Sequence, residues 1–126
     1  MSAWRKKAIE CLPEDKKDLE SPDTTIYTVF GYMLGALRTA HLNNDHEKLK
    51  KIYAFAAWSF KQKEKDLWNA AGVAFYEHLG DHELTLNQIH NWVSKEIYGE
   101  IRELIKLRIS DDSLKALDRK YGGSYK

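Results

Sequence analysis

The sequence predicts an all-α fold: a single domain of five or six helices packed as antiparallel pairs. Three observations lead there. Apolar residues recur at intervals of three and four along nearly the whole chain. Capping residues and turn signals interrupt that rhythm at short intervals, which favours helical hairpins. The one β-like fragment, Thr24 to Phe30, runs on into Met33 and Leu37 at helical spacing. No period repeats clearly enough to separate a bundle from a short HEAT-like stack. The 126 residues suit one core, placed at residues 1–120 and followed by a tail at 121–126. A 12% aromatic and 43% apolar content excludes a disordered chain.

The elements follow in order. Met1–Leu12 is a short amphipathic helix with Trp4, Ala8, Cys11 and Leu12 on one side, ended by Pro13. Glu14–Ser21 is charged and reads as one loose turn. Ser21-Pro22-Asp23-Thr24 is a helix start, with Asp23 or Thr24 as the N-cap. Behind it Ile26, Tyr27, Phe30, Met33, Leu34 and Leu37 form a wide buried face. Gly31 and Gly35, four apart on this helix, read as a place where a neighbouring helix packs closely.

A turn at His41–Asp45 leads into a helix to about Lys61, with Leu49, Ile52, Tyr53, Ala56 and Phe60 inward and Phe55 and Trp58 beside them. The next helix begins near Asp66, carries Leu67, Ala70, Ala71, Ala74 and Phe75 on its face, and ends at a C′ glycine, Gly80. Thr85 and Gln88 match a capping box ahead of Leu86, Ile89, Trp92 and Val93. Ser94 caps the last long helix, with Ile97, Ile101, Leu104, Ile105 and Ile109 inward. Asp111 or Asp112 opens a short final helix holding Leu114 and Leu117, and Tyr121–Lys126 frays.

Catalytic signals are sparse. His78 and His82, four apart among Glu77, Asp81 and Glu83, resemble a metal-ligand cluster on paper. Gly80 between them ends the helix that would aim both imidazoles at one ion. No metal and no cofactor is expected. Cys11 lacks a partner and reads as a small buried hydrophobe. There is no Gly-Xaa-Ser-Xaa-Gly motif and no phosphate-cradling glycine loop. Arg38-Thr39-Ala40-His41 has the residue types of helical HEPN-type ribonucleases at too short a spacing. The chain is not expected to be an enzyme.

Charge and compartment narrow the classes further. No apolar run approaches the roughly 18 residues of a membrane helix, and the start of the chain is too polar for a signal peptide. A single cysteine forms no internal bridge, which fits a reducing, cytoplasmic setting. Twenty bases against 19 acids argue against direct nucleic-acid binding. The charge is unevenly spread, however. Between Glu77 and Glu103 acids outnumber bases by four, and from Leu104 onward bases outnumber acids by three. Acids interleaved with aromatics make interface anchors, because the rings desolvate cheaply while the charges steer a basic partner. The candidate partner-binding residues are Glu77, Asp81, Glu83, Trp92, Glu96, Tyr98, Glu100 and Glu103.

The stretch Asp66-Leu67-Trp68-Asn69-Ala70-Ala71-Gly72-Val73-Ala74-Phe75-Tyr76-Glu77-His78-Leu79 resembles the core helix of small all-helical bacterial proteins. Several of these are similar to immunity proteins, the inhibitors of toxins delivered by contact-dependent growth inhibition or related systems. The resemblance covers fourteen residues and carries no binding residues over. It implies a cytoplasmic protein that occludes the active site of a cognate toxin, a nuclease being the expected kind. A helical adaptor that binds other proteins or itself, and a metalloenzyme built on His78 and His82, are the alternatives. The oligomeric state is not readable from the sequence.

Overall fold

The computed structural model of the chain describes residues 1–123. Its elements are all helical, and no strand occurs among the described residues. None of these helices is long and apolar enough to cross a membrane. Two compact units result, Met1–Phe75 and a second that begins at Tyr76.

In the first unit α1 (Ala3–Cys11) buries Ala8 and Cys11, and Leu12 follows them inward. The supposed loose turn is structured. A 3-10 turn at Pro13–Asp15 leads into α2 (Lys16–Glu20), which is anchored by a fully buried Leu19. One apolar residue among so many charges gave no periodic signal. Arg5 ties this region to α1: its guanidinium donates to Leu19 O (2.6 Å), Ser21 O (2.8 Å) and Thr24 O (3.1 Å).

The long helices α3 (Ile26–Leu42) and α4 (His46–Phe60) are joined by a three-residue turn. Asn44 takes the left-handed conformation in that turn (φ 53°). The N-cap of α3 is Thr25, neither Asp23 nor Thr24, because the Thr24 hydroxyl donates to Asp18 O instead (2.6 Å). Asp45 caps α4 by accepting from Lys48 N. Val29, Phe30, Met33 and Leu37 are fully buried, whereas Tyr27, expected inside, is 38% exposed. Its hydroxyl instead accepts from Asn69 Nδ2 (2.9 Å). Gly31 and Gly35 do not pack against a helix: a Cβ at either would meet no described atom within 4 Å.

The core of this unit is aromatic. Phe30 contacts Phe55 and Phe75 at ring-centroid distances of 5.4 and 5.6 Å, and Phe75 meets Tyr53 edge-on at 6.1 Å. Tyr53 shares a 2.8 Å hydrogen bond with His41 Nε2, and burial holds the pKa of that imidazole below its ordinary value.

The single helix expected from Asp66 to Gly80 is instead three. α5 (Lys65–Ala70) opens into a π-helical turn at Ala71–Phe75, and a 3-10 stretch follows at Tyr76–Asp81. Ala70, Ala71, Gly72 and Ala74 put little side-chain bulk in the way of the widened turn. The irregular ladder also changes the reading of Gly80, which is not in the left-handed region. It is small because Ile109 packs on it: a Cβ there would lie 2.6 Å from Ile109 Cγ2.

In the second unit two single-turn helices, α6 (Glu83–Leu86) and α7 (Ile89–Trp92), replace one capped helix. Thr85 is no cap: it is buried and its hydroxyl donates to Leu79 O (2.5 Å). Ser94 caps α8 (Lys95–Lys106) and Ser110 caps α9 (Asp111–Lys120), each accepting from the N–H three residues on.

Tyr121 is not frayed. Its ring stacks on Tyr98 at 4.1 Å, and its hydroxyl lies 2.6 Å from Val93 O. Gly122 and Gly123 then take positive φ, with Gly122 N–H on Arg119 O and Gly123 N–H on Asp118 O, the pairing of a Schellman cap. Residues 124–126 of the expected tail lie outside the described residues.

The contact at Gly80 gives a first prediction. Gly80→Ala should destabilise the protein by about 1–3 kcal/mol, since the β-branched Ile109 side chain cannot swing aside freely. A thermal melt checks this, and a melting temperature equal to that of the unchanged protein would show that Ile109 yields.

Candidate functional site

Of the eight residues singled out from the sequence, six separate into three groups, and Glu83 and Trp92 stand apart. Tyr98 is fully buried, so it cannot anchor a partner. Burial, aided by its bond to Asp118, raises the pKa of its phenol. It belongs to a lock beneath α8, where its hydroxyl donates to Asp118 Oδ1 (2.6 Å). Arg102 closes the lock, with Nε on Asp118 Oδ1 (2.9 Å) and a terminal nitrogen on Oδ2 (2.7 Å). The Arg102 pair holds the Asp118 carboxyl below its ordinary value of 3.8, outweighing the effect of burial.

Glu77 and Asp81 have partners of their own. Glu77 is half-buried and accepts from Arg108 (2.9 and 3.2 Å). Asp81 meets His78 Nδ1 at 2.7 Å. That pairing, on a 3-10 stretch, also replaces the alignment of His78 with His82 that a metal would need. Among the described residues no group of three His, Cys, Asp or Glu side chains is placed to hold a metal. Trp92 is half-buried on α7, and Glu83 is exposed at the start of α6.

The third group is a continuous surface. Glu96, Glu100 and Glu103 are exposed along one side of α8, with Gly99 exposed among them. Leu107, which caps the helix, extends the stripe at the same spacing and is 71% exposed. From Glu96 to Leu107 the stripe spans about 16 Å at the helical rise. Ile97, Ile101 and Ile105 are buried on the opposite side, so the acids are held on a fixed helix.

The first unit carries a feature that sequence reasoning missed. Between α1 and α4 lies a groove of about 450 Å³, lined by Lys7, Glu10 and Cys11 from one helix and Lys51, Ala54, Phe55 and Trp58 from the other. Phe55 stacks on Trp58 (6.4 Å) and Lys7 Nζ lies 5.0 Å from the Trp58 ring centre. Cys11 Sγ donates to Lys51 O at 3.4 Å, and burial pushes its pKa up to about 11. That keeps the thiol protonated and a poor nucleophile at neutral pH. The signal was present on α4, where Lys51, Ala54, Phe55 and Trp58 fall at intervals of three and four beside the core stripe. What the sequence lacks is the pairing of α4 with α1.

A family model described as a domain of unknown function (DUF7674) matches residues 5–108. The chain belongs to that family. The matched DUF7674 region contains both the α1–α4 groove and the acidic side of α8, and it stops short of α9 and Asp118. No curated protein and no solved structure matches this DUF7674 chain.

Proposed function

We propose that this DUF7674 domain is a binding protein that neutralises a cognate toxin by covering its active site, and that the toxin is a nuclease. The observation that supports this most is the acidic side of α8. Three carboxylates, Glu96, Glu100 and Glu103, stand exposed on a helix fixed from behind by apolar packing and by the Arg102–Asp118 pair. A surface ordered before contact loses little entropy on binding, and its charge speeds the approach of a basic partner. Enzymes that cut nucleic acid present such basic surfaces to phosphate. Glu83 and the half-buried Trp92 belong to the same reading, whereas Glu77 and Asp81 are held in ion pairs and Tyr98 is fully buried.

The test is titration of the purified protein with the nuclease-toxin domain encoded beside it. The expected result is a tight complex that weakens with salt. Reversing Glu96, Glu100 and Glu103 to lysine should lower its affinity by at least about tenfold. Absence of a complex with that neighbour, or a triple variant that binds as well as the unchanged protein, removes the proposal.

A further inference from the structure

The acidic side of α8 also has a complement within the same chain. The α1–α4 groove has an aromatic floor, Phe55 and Trp58, and a rim on which the exposed Lys7 and Lys51 outnumber Glu10. Its volume of about 450 Å³ suits large apolar side chains rather than a row of charges. The α8 stripe has the opposite composition: Glu100 and Glu103 precede a Leu107 that is 71% exposed, and exposed Gly99 lets another surface approach the helix closely. The minority charges match as well, since Lys106 is exposed at the end of α8 and Glu10 sits on the groove rim.

We infer that the groove binds the α8 stripe of a second copy of this chain. Leu107 enters over Phe55 and Trp58, while Glu100 and Glu103 meet Lys7 and Lys51. This is helix-in-groove recognition, in which an apolar anchor supplies affinity and flanking charges fix the register. Each copy offers one groove and one stripe, so every copy has both halves of the contact. The inference uses the same side of α8 as the toxin reading, so one copy's stripe serves one contact at a time. Its test uses this chain alone and therefore fails or succeeds apart from that reading.

Sedimentation velocity from micromolar to millimolar concentration reads the outcome. The mass is expected to rise above the 14.7 kDa of one chain with concentration, and to rise less at high salt. Lys7→Glu/Lys51→Glu should raise the concentration needed for association by at least about tenfold, and Glu100→Lys/Glu103→Lys should do the same. All four residues are exposed, and circular dichroism should show both variants folded.

Leu107→Ser leaves the net charge unaltered and should weaken association as much as either charge pair. It decides between this contact and a general effect of charge, and association that survives it overturns the inference. Mixing the two charge variants then tests the pairing of stripe with groove. One keeps its stripe and the other its groove, so the mixture should associate although each variant alone does not. A mass that stays at 14.7 kDa at all concentrations overturns the inference and leaves the groove to a foreign acidic partner. Association that survives either pair of substitutions, or a mixture that stays dissociated, overturns it too.

Discussion

Asp118→Ala is expected to lower the stability of the protein by about 3 kcal/mol, through loss of the one group that satisfies two neighbours. Asp118 accepts both nitrogens of a fork from Arg102 and the hydroxyl of Tyr98. The side chains of Arg102 and Asp118 are only 12% and 9% exposed, and Tyr98 is fully buried. Removing the carboxylate takes the bidentate partner from a largely buried guanidinium, which keeps its 3.4 Å contact with Glu103, and takes the 2.6 Å acceptor from a buried phenol. The cost therefore exceeds that of losing a surface ion pair. Replacing the three polar partners together, as Tyr98→Phe/Arg102→Met/Asp118→Leu, should recover much of the loss, because no buried polar group then lacks a partner.

Acid should act as the substitution does. The folded pKa of Asp118 lies below its ordinary 3.8, so the unfolded chain binds the proton more readily. The stabilisation is complete above about pH 5, declines as pH falls through the ordinary value, and is gone below the lower folded value. Urea unfolding between neutral and strongly acidic pH should show this decline, and Asp118→Asn should remove its share of it. Hydrogen exchange at the α9 amides gives a local check. If Asp118→Ala leaves both the urea midpoint and α9 protection unchanged, the lock carries no stability.

The legible and illegible parts of the chain follow from what each kind of signal contains. α3, α4 and α8 were readable because each is long enough to repeat its apolar stripe several times, and because Asp45 and Ser94 have the side chains that cap a helix. α2, α6 and α7 span one turn or little more, too short for any period. Their positions are set by contacts such as Leu19 in the core and Thr85 on Leu79 O. Gly80 misled for a different reason. Glycine ends helices and also fills tight contacts, and only the position of Ile109 distinguishes the two.

The candidate site divides along the same line. Glu96, Glu100 and Glu103 share a side by helical arithmetic alone. That Tyr98 turns inward to Asp118, twenty residues on, and that Lys7 and Lys51 face one groove, are consequences of pairing between helices. Nothing in local spacing encodes that pairing.

The aromatic centre of the first unit sets the other large effect. Phe30→Ala should cost about 3–5 kcal/mol. Phe30 is fully buried, and it touches Phe55 from α4 and Phe75 from the π-helical turn. Truncation removes the ring that both of them pack against, and the surrounding helices can close only part of the space. The effect should extend along the ring contacts to Tyr53 and His41. Burial keeps the His41 pKa low, so a core opened to water should let that pKa climb back towards 6.5. NMR titration of the His41 ring would follow this, alongside the urea midpoint. Phe30→Leu should lose much less, because it keeps most of the volume. Benzene should raise the melting temperature of Phe30→Ala if the cavity stays open, and should leave that of the unchanged protein where it is. A Phe30→Ala protein within about 1 kcal/mol of the original would mean that Phe55 and Phe75 close over the gap, and the rigid aromatic core described here would be wrong.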